Sequence, residues 1–210
     1  VKLSDLNNGS YTFELKGNID HAASGANDDS RTLNFGFIAK DSDGDTANSS
    51  FNVKIVDDAP VLTGTPATAT VSVALLKTDH NPNGIVQTDF RSLNVSWGAD
   101  KAAARIDFAT DSHGNPLHPD GLTSDGVSLS YELRTTDSGE KQLVAFKSTE
   151  SIDNPVFIVA LSSPGNPTYG VTLFQNIDHG PNSNSTSLQF TIVATDGDGD
   201  KINVPVTIDI

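Results

Sequence analysis

The sequence predicts an all-β protein built from immunoglobulin-like β-sandwich repeats, and three observations predict it. Apolar and polar residues alternate with period two in segments spread along the whole chain. The connections between those segments are clusters of Gly, Asn, Asp, Ser and Pro, and the chain repeats itself. Alternation marks half-buried strands, and the connecting residue types favour turns. Many short strands separated by turn signals point to a sandwich of two sheets.

In chain order, the alternating segments are Tyr11–Leu15, Thr32–Ala39, Ser49–Val56, Ser92–Trp97, Val127–Leu133 and Leu188–Ala194. One stretch, DKAAARIDF (Asp100–Phe108), is alanine-rich and predicts a helix of at most two turns. The apolar runs Val71–Leu76 and Val156–Leu161 are far too short to span a bilayer.

The repeat is direct. YTFELKGNIDH (Tyr11–His21) matches YGVTLFQNIDH (Tyr169–His179), and Leu33–Ile55 matches Leu188–Ile210 without a gap. The loop after NIDH is shorter in the second copy. One complete repeat is therefore expected over 61–210, and the C-terminal portion of another over 1–60. Between them VDDAPVLTGTPAT (Val56–Thr68) reads as a linker. Three or four strands do not readily close a sandwich alone. Either the sequence begins mid-domain, or segment 1–60 completes its sheet with the second domain or with an upstream half that an inserted module separates from it. The lack of methionine, even at position 1, suggests a piece of a longer protein.

Charge narrows the function. Asp and Glu number 27 against 13 Lys and Arg, a formal net charge of −14. That excess argues against nucleic acid and anionic membrane surfaces as partners. Glutamates are confined to Glu14, Glu132, Glu140 and Glu150, so the acid is overwhelmingly aspartate, a residue of turns and of metal chelation. There is no cysteine, so neither disulfides nor thiolate metal sites can staple the fold.

The aspartates are patterned as D-x-D-G-D. Asp41, Asp43 and Asp45 lie between two predicted strands, and Asp196, Asp198 and Asp200 occupy the same place in the second copy. Carboxylates at alternate positions of a tight loop can turn inward around one hard cation. Calcium accepts six to eight oxygens at about 2.3–2.6 Å in irregular geometry. The loop is not an EF-hand, because Gly at position 6 and Glu at position 12 are replaced by Thr46 and Asn52, or by Lys201 and Thr207. In a sandwich, the hairpin joining the last two strands lies at the end where the chain enters. Asp196, Asp198 and Asp200 should therefore face Asp57 and Asp58 of the linker and form an interdomain Ca2+ site with one or both. Asp100 in SWGAD is a further candidate at that pole. The loop of Asp41, Asp43 and Asp45 would serve an upstream linker in the same way.

The motif order SWGAD, GLTSDGVSLSYEL, NIDH and ATDGDGD, with FGFIAKDSDGD leading into VDDAP, resembles the repeat of giant bacterial adhesins exported by type I secretion. It covers nearly the whole chain. The resemblance implies a calcium-stiffened stalk or split domain of an RTX-type adhesin on the surface of a Gram-negative bacterium, serving adhesion and biofilm formation. Its partners would be adjacent repeats, or an inserted ligand-binding module of the same adhesin. It would be extracellular and monomeric, with no membrane insertion of its own. The glycine-rich nonapeptide repeats of such proteins are absent.

Two other functions compete. An enzyme would need a catalytic pattern, and the chain has no G-x-S-x-G, H-E-x-x-H or Walker loop. His21 and His179 recur in both copies, so NIDH reads as a structural turn, with Asp20 and Asp178 as outside candidates for calcium. A direct carbohydrate- or peptide-binding module would use the polar loop Ala109–Gly126, which carries Asp111, His113, His118, Asp120 and Asp125, with Trp97 stacking on a sugar. Trp97 in an alternating strand is instead expected in the core. The sequons at Asn8, Asn48, Asn94 and Asn184 are attributed to chance.

Overall fold

The computed structural model describes residues 1–3, 9–17, 19, 30–76, 84–162, 165–180 and 183–210. It is all-β, with no α-helix among the described residues and one 3-10 turn at Val73–Leu75. Asp20, His21, His80 and Asn8 fall outside the described residues.

The strands of the N-terminal part are β1 (Lys2–Leu3), β2 (Tyr11–Thr12), β3 (Ser30–Lys40) and β4 (Thr46–Val56). Short strands follow: β5 (Val61–Leu62), β6 (Ala69–Thr70), β7 (Val86–Gln87), β8 (Arg91–Ser92), β9 (Val95–Ser96), β10 (Arg105–Phe108) and β11 (Thr123–Ser124). The longer strands close the chain: β12 (Val127–Thr135), β13 (Lys141–Lys147), β14 (Pro155–Leu161), β15 (Thr168–Leu173), β16 (Ser187–Thr195) and β17 (Lys201–Asp209).

Two sheets carry the C-terminal part. One runs β10-β16-β17-β6, and the other β11-β12-β13-β14-β15-β7 with β8 also paired to β15. Every pair is antiparallel except β17 with β6, where Ile208 and Asp209 align with Ala69 and Thr70. Both sheets contribute to one apolar cluster, in which Ile106, Phe190, Ile192 and Val206 of the first meet Leu143, Phe157, Val159 and Val171 of the second. Phe157 and Phe190 make an edge-on ring contact at 6.2 Å between the sheets. Tyr169 is fully buried, and its hydroxyl donates to Ala67 O at 2.6 Å while accepting from Ala69 N–H at 3.1 Å. Trp97 is in the core, as its alternating strand led one to expect.

The sequence reading fails in three places. Of the expected strand Tyr11–Leu15 only Tyr11 and Thr12 are strand, where Leu3 and Lys2 of β1 lie alongside to pair with them. The alanine-rich stretch is not helical: Ala103 has φ 66° and closes a turn, and β10 follows it. Ile106 and Phe108 point to the core at strand spacing, and pairing with Ala194 and Ile192 outweighs the helical preference of three alanines. The segment Ser92–Trp97 is not one strand either. Asn94 takes φ 52°, its side-chain amide donates to Thr65 O at 2.6 Å, and the chain changes partners there. β8 pairs with β15, while β9 pairs with β5.

The N-terminal part carries β3 paired with β4 in full register from Ser30↔Val56 to Lys40↔Thr46, and a separate β1–β2 pair. The repeat extends further back than the sequence motifs reveal. β1 and β2 pair Leu3 with Tyr11, and β14 and β15 pair Leu161 with Tyr169, its counterpart. VKLS at the start of the chain likewise aligns with VALS at Val159–Ser162.

Candidate metal centre

The two D-x-D-G-D loops share one backbone device. In the first, Asp41 Oδ1 accepts the N–H groups of Gly44 at 3.0 Å and Asp45 at 2.8 Å. In the second, Asp196 Oδ1 accepts those of Gly199 at 3.1 Å and Asp200 at 2.8 Å. The main chain closes each loop, Asp41 N–H to Asp45 O and Asp196 N–H to Asp200 O, both at 3.1 Å. Gly44 and Gly199 take φ 107° and 115°, a region side chains other than hydrogen rarely occupy. The first aspartate of each motif thus braces the turn.

Their surroundings differ. Asp41, Asp43 and Asp45 are exposed, and offer oxygens within 4.8 Å of one another. Asp41 is held below the ordinary carboxylate range, chiefly by its contact with the Asp43 side chain and then by the loop amides. In the second loop Asp196 and Asp200 are buried and Asp198 half-buried. Burial, with the Asp198 carboxylate beside it, pushes Asp196 up to about 7.

Three segments meet at the second loop. Asp57, Asp198 and Asp200 offer oxygens within 4.8 Å of one another, and so do Asp57, Asp58 and Asp100. Asp57 belongs to both groups, so five carboxylates form one continuous set of hard oxygen donors. Asp196 is in neither group. Asp196 Oδ2 and Asp198 Oδ1 are buried without a hydrogen-bond partner, and leaving such a group unsatisfied is costly.

Glycines bring the segments together. Gly98 has φ 64°, and a Cβ there would lie 1.5 Å from Asp58 Oδ2. That oxygen instead accepts the Ala99 N–H at 2.7 Å. Gly197 N–H donates to Asp100 O at 2.6 Å, and a Cβ on Gly197 would stand 2.2 Å from Ala102 O. In the linker, Asp57 Oδ1 accepts the N–H of Asp58 at 3.0 Å. Sequence reasoning singled out the aspartates but not these glycines. SWGAD and DGDGD were visible as motifs, but only the close approach of distant segments shows why each needs a glycine.

Asp178 has other work. Its Oδ2 accepts Thr123 Oγ1–H at 2.7 Å and Gly126 N–H at 2.8 Å, and its Oδ1 accepts Asp125 N–H at 3.1 Å. These donors, Gly126 N–H foremost, hold it below the usual carboxylate range. It closes the β11–β12 turn, so in the second copy NIDH is structural. In the polar loop, Asp111 accepts the N–H groups of His113 and Asn115. His118 stacks on Tyr131 at 4.1 Å, and Asp125 pairs with Lys147. Among the described residues, none of these belongs to an acidic or histidine group that could hold a metal.

No family model, no curated protein and no solved structure matches this chain.

Proposed function

We propose that the chain is a non-enzymatic, calcium-stiffened scaffold of a secreted bacterial surface adhesin, a stalk or split domain made of immunoglobulin-like β-sandwich repeats. The observation that carries this reading is the convergence of Asp57, Asp58, Asp100, Asp198 and Asp200 from a linker, a loop and a hairpin. Their donor set is all oxygen and all carboxylate, which suits a hard divalent ion, and so many protein carboxylates suit calcium over magnesium, which keeps several waters and takes one or two carboxylates. Without a cation, like charges this close oppose folding. With one, the linker that enters the domain is fastened to the hairpin that ends it.

The mechanism is mechanical. Calcium bound between the linker and the two loops would fix the angle at which a preceding domain leaves, and its removal would let that angle vary. Extracellular modules bind calcium at roughly 0.1–1 mM. At ten times the dissociation constant each ion would stabilise the fold by about 1.4 kcal/mol. The two largely antiparallel sheets sharing one core support the sandwich, and the motif resemblance supports adhesin membership, the cell-surface location and neighbouring repeats or an inserted module as partners. The local partners that engage Asp111, His118 and Asp125 of the polar loop favour the scaffold over the direct ligand-binding alternative.

The test is thermal unfolding in calcium, in magnesium and in EGTA. A rise in melting temperature specific to calcium is expected, and Asp198→Ala should remove most of it. Three coincident curves would reduce the loops to solvated turns.

A further inference from the structure

The β3–β4 hairpin is an apolar half-structure whose counterpart in the same chain shows what it lacks. Its inner face presents Leu33, Phe35, Phe37, Phe51, Val53 and Ile55, of which all but Ile55 are only half-buried. Their repeat equivalents, Leu188, Phe190, Ile192, Val206, Ile208 and Ile210, are all in the buried core. Phe35 and Phe51 stack at 5.4 Å and Tyr11 covers Phe51 at 3.7 Å, so the face is organised rather than splayed.

Three further comparisons point to the same missing piece. β16–β17 is flanked by β10 on one side and β6 on the other, whereas among the described residues β3–β4 forms a two-stranded sheet. The edges those neighbours occupy correspond to Phe37–Lys40 on β3 and Val53–Lys54 on β4. Such edges are templates for pairing. Tyr11 is 43% exposed, while its equivalent Tyr169 is fully buried with its hydroxyl bonded to Ala67 and Ala69. Leu15 is 50% exposed, while its equivalent Leu173 is fully buried. Among the described residues, the strands β6, β10 and β13 that cover the second copy and have no counterpart over the first all lie between Asp57 and Ile158.

We propose that the inner face and both edges of the β3–β4 hairpin are a docking surface for one occupant: a polypeptide segment patterned like residues 57–158 of this chain. That segment would supply the counterparts of β6 and β10 along the edges and of β13 across the core. A second copy of this chain is a poor occupant, because its own residues 57–158 are already filled by β15, β16 and β17. The proposal goes beyond the calcium reading and holds without any ion.

The experiment fuses residues 57–158 ahead of Val1 of the full chain, which restores the repeat register because Val1 aligns with Val159. Amide hydrogen exchange is read in EGTA on the fused and the original chains, with molar mass from light scattering. A monomeric fused chain should slow exchange in β3 and β4 at least about tenfold, toward that of β16 and β17. Phe35→Asp in the fused chain should restore fast exchange, and in the original chain it should leave β16 and β17 unchanged. The proposal is overturned if the fused chain leaves β3 and β4 exchanging as before, aggregated or not. It is equally overturned if the original chain already protects them. Protection that tracks dimer formation would make a second copy the occupant, and protection in the monomer would mean the chain covers its own face.

Discussion

Gly98 shows what a single hydrogen atom does at the site. Its φ of 64° and the 1.5 Å approach of Asp58 Oδ2 to any added Cβ set two costs, strain and collision. Gly121 has the similar φ of 73° but open space around it. Gly121→Ala should therefore cost about 1 kcal/mol from the backbone alone, and Gly98→Ala distinctly more, about 2–3 kcal/mol or above. Urea unfolding in EGTA measures the difference, and equal costs would show that Asp58 moves aside freely. Asp178 offers a test by pH. Its folded-state pKa is lowered below the ordinary 3.8, so its contribution is complete above that value and is lost as pH falls through the lower folded value. Asp178→Asn should reduce stability at neutral pH and flatten the fall below about pH 4, as denaturant midpoints across that range would record. The aspartates were legible in the sequence because their spacing is a local pattern. Gly98 and Gly197 were not, since their need arises from segments far apart in the chain.

At the scale of elements, alternation succeeded where a strand stays in one sheet with one face buried. Thr32–Ala39, Val127–Leu133 and Leu188–Ala194 all lie within observed strands. It failed where the chain changes sheet, at Asn94, and where two inward residues, Ile106 and Phe108, follow an alanine run that hides the period. Neither signal is local: each depends on which strand waits alongside. Tyr169 shows how the elements are then locked. From β15 its hydroxyl reaches Ala67 just before β6, Ala69 in β6 and, at 3.1 Å, Thr207 O on β17. Tyr169→Phe strands the buried Ala69 N–H and should cost about 1–3 kcal/mol. Tyr11→Phe, at the equivalent position without that neighbourhood, should stay within about 0.5 kcal/mol. Paired denaturation curves decide, and equal losses would mean that Tyr11 already has equivalent partners.

For the whole molecule the question is whether calcium acts at a site or merely as a counterion to a chain of net charge −14. The two D-x-D-G-D loops separate these effects, because one is exposed and the other is packed against the linker and the 98–102 loop. At about 0.1 M salt the screening length is about 10 Å and shortens with added salt, so repulsion among exposed carboxylates fades while that among buried ones persists. In EGTA, sodium chloride should therefore raise the melting temperature modestly by relieving general repulsion. The calcium-specific increment should survive to about 0.5 M sodium chloride, where a diffuse counterion effect is suppressed. Asp198→Ala should remove that salt-resistant increment from the unfolding of residues 61–210, and Asp43→Ala should leave it intact. If the increment instead vanishes with salt in the unmodified chain, calcium is only neutralising the surface. The five converging carboxylates would then hold no ion, and the linker would have no clamp.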